Sequence, residues 1–155
     1  MGHGMTRHLY DMADALGVAI EYEDLSHLDR DGDYDARTHT IRLQAGMSYR
    51  LLRSTLAHEL CHAVFGDVPS KFGPVNAKQE RRADEWAALR LIDHREYRIT
   101  EEAREGNVHL MAQDLDVIDD IVVAFQRVLL RVGETVYVGP RMGAGQWASK
   151  VAAEA

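Results

Sequence analysis

The stretch Ser48-Tyr49-Arg50-Leu51-Leu52-Arg53-Ser54-Thr55-Leu56-Ala57-His58-Glu59-Leu60-Cys61-His62-Ala63-Val64-Phe65-Gly66 decides how the rest of the chain is read. Leu52, Leu56, Leu60 and Val64 recur at helical spacing as an apolar stripe, and Gly66 stands where a glycine stops a helix. The spacing predicts one helix from Ser48 to Phe65. Inside it, His58-Glu59-Leu60-Cys61-His62 places two imidazoles four residues apart on one face, within reach of a single metal ion. Glu59 lies about 100° further round the same helix. A tetrahedral zinc site that does chemistry needs a third protein ligand and one open position. The remaining sequence is therefore read for a side chain that can reach back to the histidines.

Downstream, a loop containing Pro69, Gly73 and Pro74 leads to a second helical pattern, with Ala83, Trp86, Ala87 and Leu91 on one face. Asn76 is the expected cap, with Gln79 in the reciprocal position, which puts Glu80 in the first turn or two. Glu80 follows His62 by 18 residues. Two antiparallel helices joined by such a loop would bring its carboxylate over the histidine face as the third ligand. Asp84, one turn further on, suits a carboxylate that accepts the outer N–H of a ligand histidine and so fixes its tautomer. His94 is the rival third ligand. A metzincin pattern would demand Gly at 65 and His at 68, where this chain has Phe65 and Val68. A glutamate-ligand zincin remains.

Upstream, Thr6 is read as the cap of a first helix carrying Leu9, Met12, Ala13 and Leu16 and stopped by Gly17. Val18, Ile20 and Tyr22 alternate as a strand. The segment from Gly32 to Leu43 reads as two more strands, turning near Ala36 and Arg37. Thr100 and Asp116 are the expected caps of helices over 101–114 and 117–131, the second lined by Ile118, Ile121, Val122, Phe125, Val128 and Leu129. The expected architecture is α+β: a small zincin-like domain over residues 6–131, with a three-stranded sheet packed on a mainly helical body. Residues 1–5 read as a cloning scar. Residues 132–155 read as a loosely held tail with one strand-like patch, Thr135 to Val138.

The 155 residues are 46% hydrophobic and 28% charged with three prolines, the composition of one folded domain. A net charge of −7 argues against a nucleic-acid surface, which needs clustered cations. Leu110 to Phe125 faintly resembles a helix-turn-helix, but Asp114, Asp116, Asp119 and Asp120 would repel phosphate there. The single Cys61 excludes an intrachain disulfide and multi-cysteine metal sites, so a reducing cytoplasm is expected. No secretory signal opens the chain, and apolar runs of about five residues fall far short of the roughly 20 of a membrane span.

Leu56-Ala57-His58-Glu59-Leu60-Cys61-His62, followed by Glu80-Arg81-Arg82-Ala83-Asp84-Glu85-Trp86-Ala87-Ala88 and preceded by the short strand Thr40-Ile41-Arg42-Leu43, resembles the ImmA/IrrE family of metallopeptidases over roughly residues 6–131. The resemblance implies zinc ligands His58, His62 and Glu80, a general base at Glu59, and intracellular cleavage of helix-turn-helix repressors of phages or mobile elements. Cys61 stands where family members commonly have glycine. The strand around Thr38 to Leu43 is the expected edge for pairing with an extended peptide. Tyr34, Tyr49, Arg82, His94 and His109 are the candidates for stabilising the oxyanion. The competing reading is a zinc-containing module that sequesters a repressor or antitoxin without hydrolysing it.

Overall fold

The computed structural model describes residues 2–138, with side chains from 6 to 132. The described chain runs α1 (Gly2–Leu16), β1 (Ala19–Glu23), a 3-10 turn (Ser26–Leu28), β2 (Gly32–Asp35), β3 (Thr40–Gln44), α2 (Tyr49–Phe65), α3 (Gly73–Leu91), α4 (His94–Ala103), α5 (Val108–Asp114) and α6 (Asp119–Val138). This is the α+β architecture expected, a small zincin-like domain.

α2 is bounded as its sequence dictates. The Ser48 hydroxyl accepts the Leu51 amide at 3.3 Å, and Gly66 ends the helix at φ 65°, a left-handed conformation that suits glycine. Leu56 and Leu60 of the apolar stripe are fully buried, joined by Ala57 and Cys61. Val64, at the end of the stripe, is exposed.

The sheet order is β1-β3-β2, with β1 parallel and β2 antiparallel to β3. Ile41 and Leu43 of β3 are fully buried, and they join the core built from Leu9 and Ala13 of α1, the buried face of α2, and apolar residues of α3 to α6. β3 is the central strand, so the expected edge from Thr38 to Leu43 is corrected. Both sides of β3 are paired, and among the described residues the free edges belong to β1 and β2.

Several expected boundaries move. α1 begins at Gly2, so Thr6 is not a cap; its hydroxyl bonds the Tyr49 hydroxyl at 2.6 Å, and residues 2–5 lie within the helix. α3 starts at Gly73, because Pro74 fits a first-turn position. Asn76 instead ties the loop down, accepting from the Ser70 amide at 2.8 Å and donating to its carbonyl at 2.6 Å. The helix expected over 101–114 is two. Asp93 caps α4 by accepting from Glu96, and Asn107 caps α5 by accepting from Leu110, while Thr100 is buried inside α4. Asp116 lies in the left-handed turn before α6 at φ 57°. Thr135 to Val138 belong to α6 and not to a strand, and residues 139–155 lie outside the described residues.

Gly32 sets how closely β2 approaches α2. A Cβ there would meet Thr55 Cγ2 at 2.7 Å and the Arg42 carbonyl at 3.0 Å. Gly32→Ala should therefore push β2 off α2 and destabilise the fold by about 1–3 kcal/mol. The shift in a urea unfolding midpoint at unchanged slope measures it.

Candidate metal centre

His58 and His62 project from consecutive turns of α2 with their Nε2 atoms 3.2 Å apart. α3 packs along α2, the most extensive pairing among the described elements, and brings Glu80 across from its third turn. Glu80 Oε2 lies 2.9 Å from His62 Nε2, and Oε1 lies 3.5 Å from His58 Nε2. Donors about 2.0–2.1 Å from a tetrahedral ion sit roughly 3.3 Å from one another, so these three side chains fit one zinc-sized cation with little adjustment. His58, His62 and Glu80 form a group that could hold a metal ion, and their donor atoms all lie within 4.8 Å of one another. The rival His94 stands at the start of α4, against the Phe125 ring, and contributes nothing to this group.

The outer nitrogens of both imidazoles are held. His58 Nδ1 lies 2.8 Å from Asp84 Oδ1, the pairing that the one-turn spacing from Glu80 predicts. His62 Nδ1 lies 2.9 Å from Asp67 Oδ2, a partner the sequence reading missed. Asp67 falls five residues after His62, outside the three- and four-residue spacings that mark helical neighbours. The chain reversal at Gly66, with the Asp67 amide donating to the His62 carbonyl at 2.9 Å, was the available signal.

The electrostatics follow from this crowding. Burial opposes charge on His58, but the hydrogen bonds it donates to Asp84 and Glu80, together with the nearby Glu59, outweigh it and push the imidazole up to about 10. His62 is also raised, Glu80 and Asp67 outweighing its burial. Hydrogen bonds from His58 and His62 hold Glu80 well below the usual carboxylate range. Glu59 moves the other way. It is 7% exposed with no hydrogen bond to any described residue, and burial raises its pKa against the pull of the two histidines. A carboxyl group so placed accepts a proton more readily than an ordinary glutamate does.

The centre opens into a cleft of about 460 Å³ with Glu59, His62 and Glu80 on its floor, β2 on one wall, and Val68 and Pro69 on the other. The cleft continues along β2 into a second hollow of about 750 Å³. Of the five oxyanion candidates, Tyr34 alone lines the first cleft. Tyr49 bonds Thr6, the Arg82 guanidinium is engaged by Asp67, His94 packs near Phe125, and His109 pairs with Asp119.

An H-E-x-x-H helix crossed by a helix-borne glutamate, beside a small sheet with a free edge, has the build of a metallopeptidase domain. The Peptidase_M78 family model, described as the IrrE N-terminal-like domain, matches residues 13–123, and the chain belongs to that family. No curated protein and no solved structure matches it. No described helix is long and apolar enough to cross a membrane.

The raised His58 has a pH signature in protein stripped of metal with a chelator. A histidine whose folded pKa lies above its unfolded value of 6.5 contributes stability that is complete below 6.5 and is lost as pH rises through about 10. The unfolding midpoint of stripped protein should therefore fall between pH 7 and 10. Asp84→Asn should flatten that fall, as thermal unfolding across the range would show.

Proposed function

We propose that the protein is a zinc-dependent endopeptidase of the cytoplasm. By the resemblance to ImmA/IrrE peptidases, its substrate is a helix-turn-helix transcriptional repressor of a phage or mobile element. In this reading His58, His62 and Glu80 hold the zinc, Asp84 orients His58, and Glu59 is the general base. The observation that carries the reading is the position of Glu59: buried, free of hydrogen bonds to the described residues, and lining the same cleft as a His-His-Glu donor set.

Zinc bound there would supply Lewis acidity toward the scissile carbonyl and lower the pKa of water toward about 7. The chain's own groups do the rest. Glu59 takes a proton from the attacking water and passes it to the leaving amine. Its raised pKa suits both directions of transfer, because a carboxyl group poised nearer neutrality gains a proton and gives it up at lower cost. The unpaired edge of β2 offers amide and carbonyl groups to an extended peptide, and the continuous hollow along β2 accommodates several residues of it. Tyr34, on that strand and in the cleft, is the side chain best placed to donate to the developing oxyanion.

A sequestering module would have no use for a desolvated carboxylate beside its metal, since burying an unpaired acid costs stability. Glu59 separates the two readings. Glu59→Gln should keep about one zinc per chain by elemental analysis and lose roughly 10²- to 10⁴-fold in cleavage of a co-expressed repressor. Glu80→Ala should lose the metal and the activity together. If Glu59→Gln cleaves at the wild-type rate, the hydrolytic role fails; if wild-type protein supplied with zinc retains none after washing, the metal centre fails.

A further inference from the structure

We propose that Asp67 and Arg82 are positioning residues for His62: a linked pair that fixes its tautomer and aim, and through it the register of the two helices that carry the metal ligands. The inference rests on the metal-site reading above.

The chain of contacts is continuous. His62 Nδ1 donates to Asp67 Oδ2 at 2.9 Å, which leaves the Nε2 lone pair facing Glu80 and the metal position. The other oxygen, Asp67 Oδ1, accepts from Arg82 Nη2. The Asp67 side chain is only 9% exposed, so the carboxylate end of this ion pair is shielded, while Arg82 is 37% exposed. The Arg82 guanidinium carbon lies over the Phe65 ring, 4.1 Å from its centroid, a contact that steadies the fork from the side of α2.

The arrangement forms a loop in space. His62 meets Glu80 directly through Nε2 and meets Arg82 through Asp67, and Glu80 and Arg82 are two residues apart on α3. Asp84, two residues further, holds His58. Alternate positions 80, 82 and 84 of α3 thus act on the metal, on His62 through Asp67, and on His58. If the pair served only to join two helices, it could be replaced by any other contact between them. Its placement on the outer nitrogen of a ligand gives it a specific consequence for the metal.

The test is zinc affinity, measured by competition with a chromogenic chelator, together with the visible absorption spectrum of the cobalt-substituted protein. Asp67→Ala should weaken zinc binding roughly 10- to 100-fold and alter the cobalt bands. Asp67→Asn, whose amide oxygen still accepts the Nδ1 proton, should lose less, and Arg82→Gln should fall between wild type and Asp67→Ala. Glu85→Gln is the control for mere helix tethering: it breaks the pairs from α3 to Arg127 and Arg131 of α6, none of which bonds His58, His62, Glu80, Asp67 or Asp84, and it should leave affinity and spectrum unchanged. Circular dichroism establishes that each variant is folded; should Asp67→Ala not fold, Asp67→Asn and Arg82→Gln carry the test. Wild-type affinity and spectrum in the Asp67 and Arg82 variants would overturn the inference while leaving the metal site intact. So would an equal loss in Glu85→Gln. Failure of the wild type itself to take up zinc would overturn the site reading and this inference with it.

Discussion

The convergence of three donors from two helices, His58 and His62 of α2 with Glu80 of α3, is the constraint around which the described structure is arranged. Two imidazoles with ring nitrogens 3.2 Å apart and a carboxylate across them make a poor set of neighbours without a cation among them. Four carboxylates, Glu59, Asp67, Glu80 and Asp84, surround two histidines, and Arg82 is the one guanidinium among the described residues bonded to any of them. Counted with neutral imidazoles, that is four negative charges against one positive. A bound dication would reduce that excess from three negative charges to one, with Glu59 left ionised and able to accept a proton. The donor set and the surrounding charge therefore point to the same kind of occupant.

Holding such a cluster requires a rigid frame, and the rest of the fold supplies it. Ala83, Ala87 and Ala88 are completely buried, and their small side chains let α3 lie close to α2. On the far side, the buried Arg53 of α2 donates to the carbonyls of Leu115 and Asp116, and the Ser54 hydroxyl accepts the Ile118 amide. These bonds satisfy the turn between α5 and α6 with side chains from α2, so α2 cannot shift without breaking them. Glu85, bonded to Arg127 and Arg131, joins α3 to α6 through contacts that do not reach the donor group.

How much of this was legible depended on whether the determining interaction is periodic. The H-E-x-x-H helix, its Ser48 cap, its Gly66 stop and the one-turn spacing of Glu80 and Asp84 all follow from helical geometry, and a single sequence displays them. The hairpin near Ala36 and Arg37 was readable from alternation. Asp67 was not, because it reaches His62 by chain reversal and not by helical repeat. The order of strands was equally hidden: nothing local in Thr40 to Gln44 says that β3 lies between its neighbours, so the free edge was assigned to the wrong strand. The caps of the later helices were misplaced because Ser, Thr, Asp and Asn are common, and only tertiary packing decides which of them accepts an amide. Thr6 shows this well, its hydroxyl turned to Tyr49 and not to its own helix.

Cys61 is the residue where a soft donor could compromise such a site, since a thiolate beside two histidines would compete for zinc. The helix geometry prevents it. Cys61 lies about 100° round the helix from His62, is completely inaccessible, and does not join the donor group of His58, His62 and Glu80. Burial pushes its thiol up to about 11, so it stays protonated, and its sulfur lies 3.9 Å from the Arg82 carbonyl on α3. Glycine in that place would leave the space between the helices unfilled and add backbone freedom to the turn between the ligands. The cysteine therefore fills the seam between α2 and α3, where its hydrophobic character is useful and its reactivity is suppressed.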